Sequence, residues 1–311
     1  MTARYLAATT VEEAVAAMAA GARPVAGGTD LVVRARQGSA GLPPALVGIH
    51  RLPELSSIDG PDARGLRIGA GVNHETIMSH PAVLTAYTGL ADACAIVGSH
   101  ATRVNGTLGG NVMNASPAMD TGAPLVCHGA LAVLHGPREV RRIRLDELWT
   151  APGQSSASPD ELLVSIELPP PPGEGGLVTA SAYVRLQYRR QMEIAIVGAA
   201  ATVGVAQGEI QQARIAITAL APTIRRVPMS EEALTGAVVG ADGRDPRGAA
   251  DIETAARLAA RAARPVSDVR ASAEYRRAMA IVVTRRAVIT AVLRATGGRV
   301  PVPASDTTFG S

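Results

Sequence analysis

Two small polar blocks constrain this chain more than any of its core segments. One is "PVAGGTDL", Pro24 to Leu31; the other is "TLGGNVMNASPAMDT", Thr107 to Thr121. Each sets a glycine pair beside a hydroxyl residue, and the second contains no run of core residues. Glycine lets the backbone approach another group with no Cβ in the way. Successive N–H groups at such a turn, or at a helix start, point at an anion. Either block alone reads equally well as an ordinary turn or loop. Two in one chain suggest a pair of loops gripping one diphosphate, with Thr107, Gly109, Gly110 and Asn111 as hydrogen-bond donors. Asp120, just past a Ser-Pro turn, would accept from a ribose hydroxyl or an adenine amine, or else cap a helix beginning just after it.

With 311 residues, two or three subdomains are expected rather than one simple core. The chain is 47% hydrophobic but only 2% aromatic, so Ala, Val, Leu and Ile build the core and platforms for stacking bases are scarce. A net charge of +3 arises from 30 basic and 27 acidic residues that are interspersed. No Lys/Arg tract marks a nucleic-acid partner. Cys94 and Cys127 make neither a disulfide framework nor a four-thiolate cluster. Glu12 and Glu13 fall where a signal peptide would be apolar, and no window reaches the length of a membrane span. A reducing, cytoplasmic setting is expected.

Thr10-Val11-Glu12-Glu13 has the form of a capping box, and an Ala-rich helix runs from it to Gly21. "RPVAGGTDLVVRARQG" reads as a strand, a Gly-Gly turn and a helix capped by Asp30 and ending near Gly38. With the strand "PALVGIH" this makes a small βαβ-type unit. Then come a strand at Leu66–Val72, a helical pattern from His74 to Gly98, the second glycine block, and strands in "ALAVLHG", "REVRRIRLDELW" and "DELLVSIEL". The Pro/Gly stretch at Pro172–Gly176 marks a domain boundary. Past it lie three sheet strands, then helices from Ser230, over Asp251–Ala263, and over "ASAEYRRAMAIVVTRRAVITAVLRAT". The expected layout is a domain over 1–174 (subdomains about 1–55 and 56–174), a second over 175–298, and a loose tail over 299–311.

Rival motifs are weak. "IGAGVNHETI" offers Gly69-x-Gly71 between a strand and a helix, but its sixth position is His74, and it comes after a complete βαβ-like unit. There is no P-loop, no H-E-x-x-H, no Cys/His cluster at zinc spacing and no G-x-S-x-G elbow. The six histidines are scattered, and neither a metal site nor a catalytic acid–base pair stands out.

"PVAGGTDL", "GTLGGNVMNASPAMDT", "YVRLQYRRQMEIAIVGAAA" and "VRASAEYRRAMAIVVTRR" together resemble the FAD-binding medium subunit of the molybdenum hydroxylases, the family of carbon monoxide and xanthine dehydrogenases. The resemblance runs in order from the first helix to about residue 296, and its paired signature is specific where either half alone is not. It implies an α+β chain: a vanillyl-alcohol-oxidase-type FAD-binding domain of two subdomains, then a domain of sheet plus helices. It also implies FAD with its diphosphate between the glycine loops. Carried over by position, Val25, Ala26, Gly27, Gly28, Thr29, Asp30 and Leu31, with Thr107, Leu108, Gly109, Gly110 and Asn111, meet the diphosphate. Asp120 meets the adenosine part. Leu163 packs near the isoalloxazine, and Arg185 stands where relatives often keep a Lys close to the flavin.

The sequence departs from the pattern at Ala101, Val104 and Asn105, in "ATRVNGT", and Glu193 stands where relatives often have Asp. An arginine at 185 keeps a charge but cannot lend a proton. In the family, electrons pass from a molybdenum-cofactor large subunit through two 2Fe-2S clusters on a small subunit to FAD and on to an acceptor. This chain has too few cysteines for clusters, so those would reside on such partners. Alternatives are a stand-alone FAD enzyme of the same fold, a scaffold without FAD, and a Rossmann NAD(P) enzyme using Gly69-Ala70-Gly71.

Overall fold

The computed structural model describes residues 4–38, 41–189, 191–240 and 246–308. Strands β1 (Arg4–Ala7), β2 (Arg23–Val25) and β3 (Ala45–Gly48) make a parallel sheet in the order β1-β3-β2. The helix Val11–Ala19 starts as its sequence predicts: Glu13 N donates to Thr10 Oγ1 at 3.2 Å. The Glu13 carboxylate accepts from Thr9 N at 2.8 Å, one residue further back than a standard capping box. Its apolar stripe of Val11, Ala14, Val15 and Met18 is buried.

The second sheet uses β4 (Ile58–Asp62), β5 (Gly65–Gly69), β6 (Leu131–His135) and β7 (Val140–Arg144). After a small hairpin of β8 (Trp149–Ala151) and β9 (Gln154–Ser155), β10 (Leu162–Leu168) enters its centre. The order is β4-β5-β10-β6-β7, and every pair is antiparallel. Two expectations change here. The helical pattern after His74 splits into His74–Ser79, Pro81–Ala86 and Thr88–Ala95, because Pro81 cannot donate to a continuing ladder. "REVRRIRLDELW" leaves the sheet at Leu145 for a helical turn that buries Leu145 and Leu148.

Beyond the Pro/Gly stretch, β11 (Val178–Leu186), β12 (Val197–Ala206), β13 (Glu209–Thr218) and β14 (Arg225–Arg226) form an antiparallel sheet in that order. The helices Pro228–Leu234, Pro246–Ala262 and Ala273–Ala295 come next. The side-chain period of two sorts β12 between two cores. Ala199, Ala201 and Val203 join Val283, Ala287 and Val288 of the long helix. Ala200, with Tyr183 and Ala216, joins the core of the preceding sheets instead. Gly198 makes room for Tyr183: a Cβ there would sit 2.4 Å from the tyrosine hydroxyl oxygen.

A buried ion pair ties the two halves together. Asp92, on the helix Thr88–Ala95, is fully buried. It accepts from Arg294 Nη1 at 2.6 Å and Nη2 at 2.9 Å, from Tyr183 N at 3.1 Å and from Ala304 N at 2.9 Å. The expected tail is therefore not loose where it is described: Ala304 and Ser305 are buried, because backbone and hydroxyl groups there complete charged partners. His128 lies at the same seam, its Nε2 3.1 Å from Ser181 Oγ. Among the described residues no helix is long and apolar enough to cross a membrane.

These groups set two expected outcomes. Asp92→Ala leaves Arg294 charged and unpaired, which costs about 3–5 kcal/mol; thermal melts of the variant should start well below the parent. The second concerns pH. Burial first, then the Arg214 charge, pushes His128 down from 6.5 to about 3. Burial and Arg103 push His74 down to about 4. Both rings are neutral in the folded chain, while the unfolded chain protonates them near pH 6.5. Unfolding thus takes up protons below that pH, and stability present above pH 6.5 is lost as pH falls toward 4 and 3. Each site contributes on the order of 3 kcal/mol. Urea midpoints measured from pH 7 to pH 5 should fall steadily, and His128→Gln should flatten the decline.

Candidate functional site

β2 delivers the chain into Gly27 and Gly28, and Gly28 takes φ +69. That left-handed residue is the N-cap of the helix Thr29–Arg36, and no side chain caps it. Asp30 is not the cap expected from its residue type; it sits inside the first turn, and Gly28 takes the N-cap position. The first-turn amides of Thr29, Asp30 and Leu31 therefore face outward as a positive helix end. No residue of this helix is buried, so it stands clear of the core beside its own glycine loop.

The second glycine block is mostly helix rather than loop. Thr107 caps Leu108–Met113, its Oγ1 accepting from Gly110 N at 3.0 Å. Leu108 N donates to Val72 O at 2.9 Å, Gly109 N to Ala70 O at 2.8 Å and Asn111 N to Thr107 O at 3.0 Å. Of the expected donors, the amides of Gly109, Gly110 and Asn111 are thus engaged within the protein, as is that of Leu108. Asn111 Oδ1 accepts from Thr121 Oγ1 at 2.6 Å, which directs its amide NH2 away from Thr121.

The two blocks touch. A Cβ on Gly27 would lie 1.8 Å from Asn105 O, and one on Gly106 would lie 3.4 Å from Thr29 Oγ1 and 3.5 Å from His74 Cδ2. Arg34 Nη2 also donates to Asn114 Oδ1 across the gap. The glycines divide by physical reason. Gly27 and Gly109 are required by packing, since a Cβ on Gly109 would meet Ala70 at 2.6 Å. Gly28 is required by its backbone angle. Gly110 is the least constrained: it is exposed, and a Cβ there would press only on the Thr107 hydroxyl, at 3.0 Å. Its exposed backbone lies on the same helix as Asn114, which Arg34 of the uncapped helix reaches.

Asp120 and Arg185, expected at opposite ends of a cofactor, meet each other. Asp120 Oδ2 accepts from Arg185 Nη1 at 2.5 Å, and Oδ1 from Tyr183 OH at 2.9 Å. Burial pushes the Asp120 carboxyl up, while Arg185 pulls it down. Arg185 is 0% exposed, with Nε donating to Gln187 Oε1 and Nη2 to Ile96 O. A guanidinium with every nitrogen engaged and no open surface cannot lie against a flavin, so its position near the ring is corrected to a strut under Asp120. Leu163 is buried beside the bulge in β10. The next residue's carbonyl, Val164 O, accepts from Ala70 N at 2.9 Å, and Ala70 O takes Gly109 N. This sets Leu163 in the wall behind the second block.

Sequence reasoning passes over three groups here. His74 is buried, with Nδ1 unpartnered. Glu75 accepts from Arg103 Nε at 3.1 Å. Tyr183 orients Asp120. The Asn73 cap ahead of His74 is the available signal; its Oδ1 accepts from Thr76 N at 2.8 Å. The rival Gly69-x-Gly71 is accounted for by packing, because Cβ atoms there would come within 3 Å of Leu55 O, and β5 lies in an antiparallel sheet rather than a Rossmann unit.

Residues 1–171 match the family described as the FAD binding domain in molybdopterin dehydrogenase, and residues 182–291 the CO dehydrogenase flavoprotein C-terminal domain. The chain belongs to the FAD-binding medium subunits of the molybdenum hydroxylases. It is 30% identical over 276 residues to the carbon monoxide dehydrogenase medium chain of Afipia carboxidovorans, covering 88% of this chain and 90% of that one. It is 28% identical over 278 residues to the xanthine dehydrogenase FAD-binding subunit of Escherichia coli O157:H7, covering 89% and 91%. The solved carbon monoxide dehydrogenase of Hydrogenophaga pseudoflava lacking the Mo-pyranopterin moiety superposes with a TM-score of 0.85 at 28% identity, over 95% of this chain and 98% of that one.

The residues present fit FAD. An uncapped helix start supplies amides for a diphosphate, and Gly110 leaves the space that a Cβ would fill. Two glycine variants separate packing from binding. Gly27→Ala forces the blocks apart and should destabilise the medium subunit by about 1–3 kcal/mol. Gly110→Ala should change stability by less than about 1 kcal/mol, yet weaken FAD binding at least about tenfold, or 1.4 kcal/mol. Chemical denaturation and flavin fluorescence titration, run side by side, check the split.

Proposed function

We propose that this medium subunit passes electrons through FAD within a molybdenum hydroxylase complex, in the cytoplasm. Its partners would be a 2Fe-2S small subunit and a large subunit carrying the molybdenum cofactor. The observation that supports this most directly is the close approach of the two glycine blocks, Gly27 against Asn105 O and Arg34 to Asn114 beside an uncapped helix start, in a chain matching medium subunits along nearly its whole length. Bound FAD supplies the redox chemistry; the protein supplies position and electrostatics.

Within that reading, Val25 to Leu31 orient the diphosphate from one side, and Thr107 to Asn111 shape the other. Asp120 anchors the adenosine part, and Leu163 backs the wall toward the isoalloxazine. Domains over 1–174 and 175–298 are the proposed units, with the boundary in the Pro172–Gly176 stretch. Cys94 and Cys127 are both buried, and burial pushes both thiols up. Neither suits a cluster, so the iron–sulfur relay belongs to another subunit. No acid–base pair is assigned, because an electron relay requires none.

The decisive experiment is an absorption spectrum of the purified chain before and after FAD is added, with the released cofactor identified. Flavin bands that disappear in Gly28→Val and Gly110→Val are the expected result. A chain shown by circular dichroism to be folded, yet colourless with FAD both alone and in the presence of its partner subunits, would overturn the proposal.

A further inference from the structure

The final described stretch of the chain crosses the seam between the two cores. Val302 packs against the core of the first two sheets and Val300 against that of the third, where Ala304 is wholly buried. Its polar atoms go to two buried ion pairs. The carbonyls of Val300 and Pro301 accept from Arg294 Nη2 at 3.3 and 3.4 Å. Ala304 N donates to Asp92 Oδ1 at 2.9 Å, and Ser305 Oγ accepts from Arg185 N at 3.1 Å.

These contacts lead to the glycine cradle. Arg185 holds Asp120. The next residue, Thr121, donates to Asn111 Oδ1 in the second glycine block. An unbroken run of bonded residues therefore extends from Ser305 to Asn111 in the second glycine block.

We infer that residues 300–305 form a strap that positions the cofactor site, with Ser305 as a positioning residue acting through Arg185 and Asp120. These strap contacts go to Arg294, Asp92 and Arg185 rather than to the glycine blocks. It seals the seam, keeping Asp92 and Asp120 out of water, where ion pairs are tight and directional rather than loose and screened. It also fixes β11, whose Tyr183 and Arg185 grip Asp120. The inference rests on the reading of the glycine blocks as the FAD site.

The test compares FAD titrations, followed by flavin fluorescence, for the full chain, a chain ending at Gly298, Ser305→Ala and Ser305→Thr. Circular dichroism and thermal melts establish that each is folded. The shortened chain should bind FAD about tenfold more weakly, as expected for coupling between separate sites. A synthetic peptide of residues 299–311 added in trans should restore much of the affinity. Ser305→Ala should bind about threefold more weakly, a smaller coupling of the same kind, and Ser305→Thr, which keeps the hydroxyl, should match the parent. Where the shortened chain does not fold, the Ser305 pair decides. Equal affinity of a folded shortened chain and the full chain, or identical behaviour of the two Ser305 variants, overturns the strap alone. A folded full-length chain that ignores FAD overturns the reading of the loops and, with it, the strap's stated role.

Discussion

Two carboxylates buried at one seam, Asp92 and Asp120, hold the rest of this structure in register. Removing a carboxylate from water costs several kcal/mol, and attraction to one arginine repays that only when the remaining lone pairs are also used. Asp92 meets that condition in full and Asp120 in part, with one donor on each oxygen. Asp92 takes two guanidinium nitrogens and two amides; Asp120 takes a guanidinium and a phenol. All of these donors come from the C-terminal half, while both carboxylates come from the first. Neither half can separate without leaving charges stranded, so the seam is fixed more firmly than apolar contact alone would fix it.

β11 is where that constraint acts. Ser181, Tyr183 and Arg185 alternate along one face and point into the first domain, whereas Ala182 and Val184 pack beneath the long helix. Gly89 N donates to Ser181 Oγ, Tyr183 reaches Asp120, and Arg185 spans from Asp120 to Ile96 O. Small residues on the neighbouring strand, Gly198 and Ala200, give the Tyr183 ring its bed. Both glycine blocks lie in the first domain, yet Asp120, within the second block, is held by Tyr183 and Arg185 of the second domain.

Much of this is legible in sequence where a local rule decides alone. The capping box at Thr10, the βαβ start, the glycine pair at Gly27-Gly28 and the sheet after Pro172–Gly176 come directly from residue type and spacing. The failures share a cause. Gly109-Gly110 reads as a loop because glycine disfavours helices, but a Thr107 cap and contact with Ala70 override propensity. Asp30 resembles a cap only until Gly28 takes a left-handed angle. Arg185 reads as a flavin contact by its place in the family pattern; its partner lies 65 residues upstream, and no periodicity links the two. The polar end of the chain reads as a tail because its partners, Asp92 and Arg185, are equally hidden from any local rule.

The glycines show how far a motif can be trusted. Gly27, Gly69, Gly71 and Gly109 are all forced by the approach of another backbone or side chain, so their presence says little about a ligand. Gly28 is forced by its own angle. Gly110 is the least constrained of them: a Cβ there would press only on the Thr107 hydroxyl, at 3.0 Å. A site identified by counting glycines would weigh all six alike. Weighed by what each Cβ would strike and by backbone angle, the signal narrows to Gly28, the left-handed start of an uncapped helix, and Gly110, the least constrained of the six.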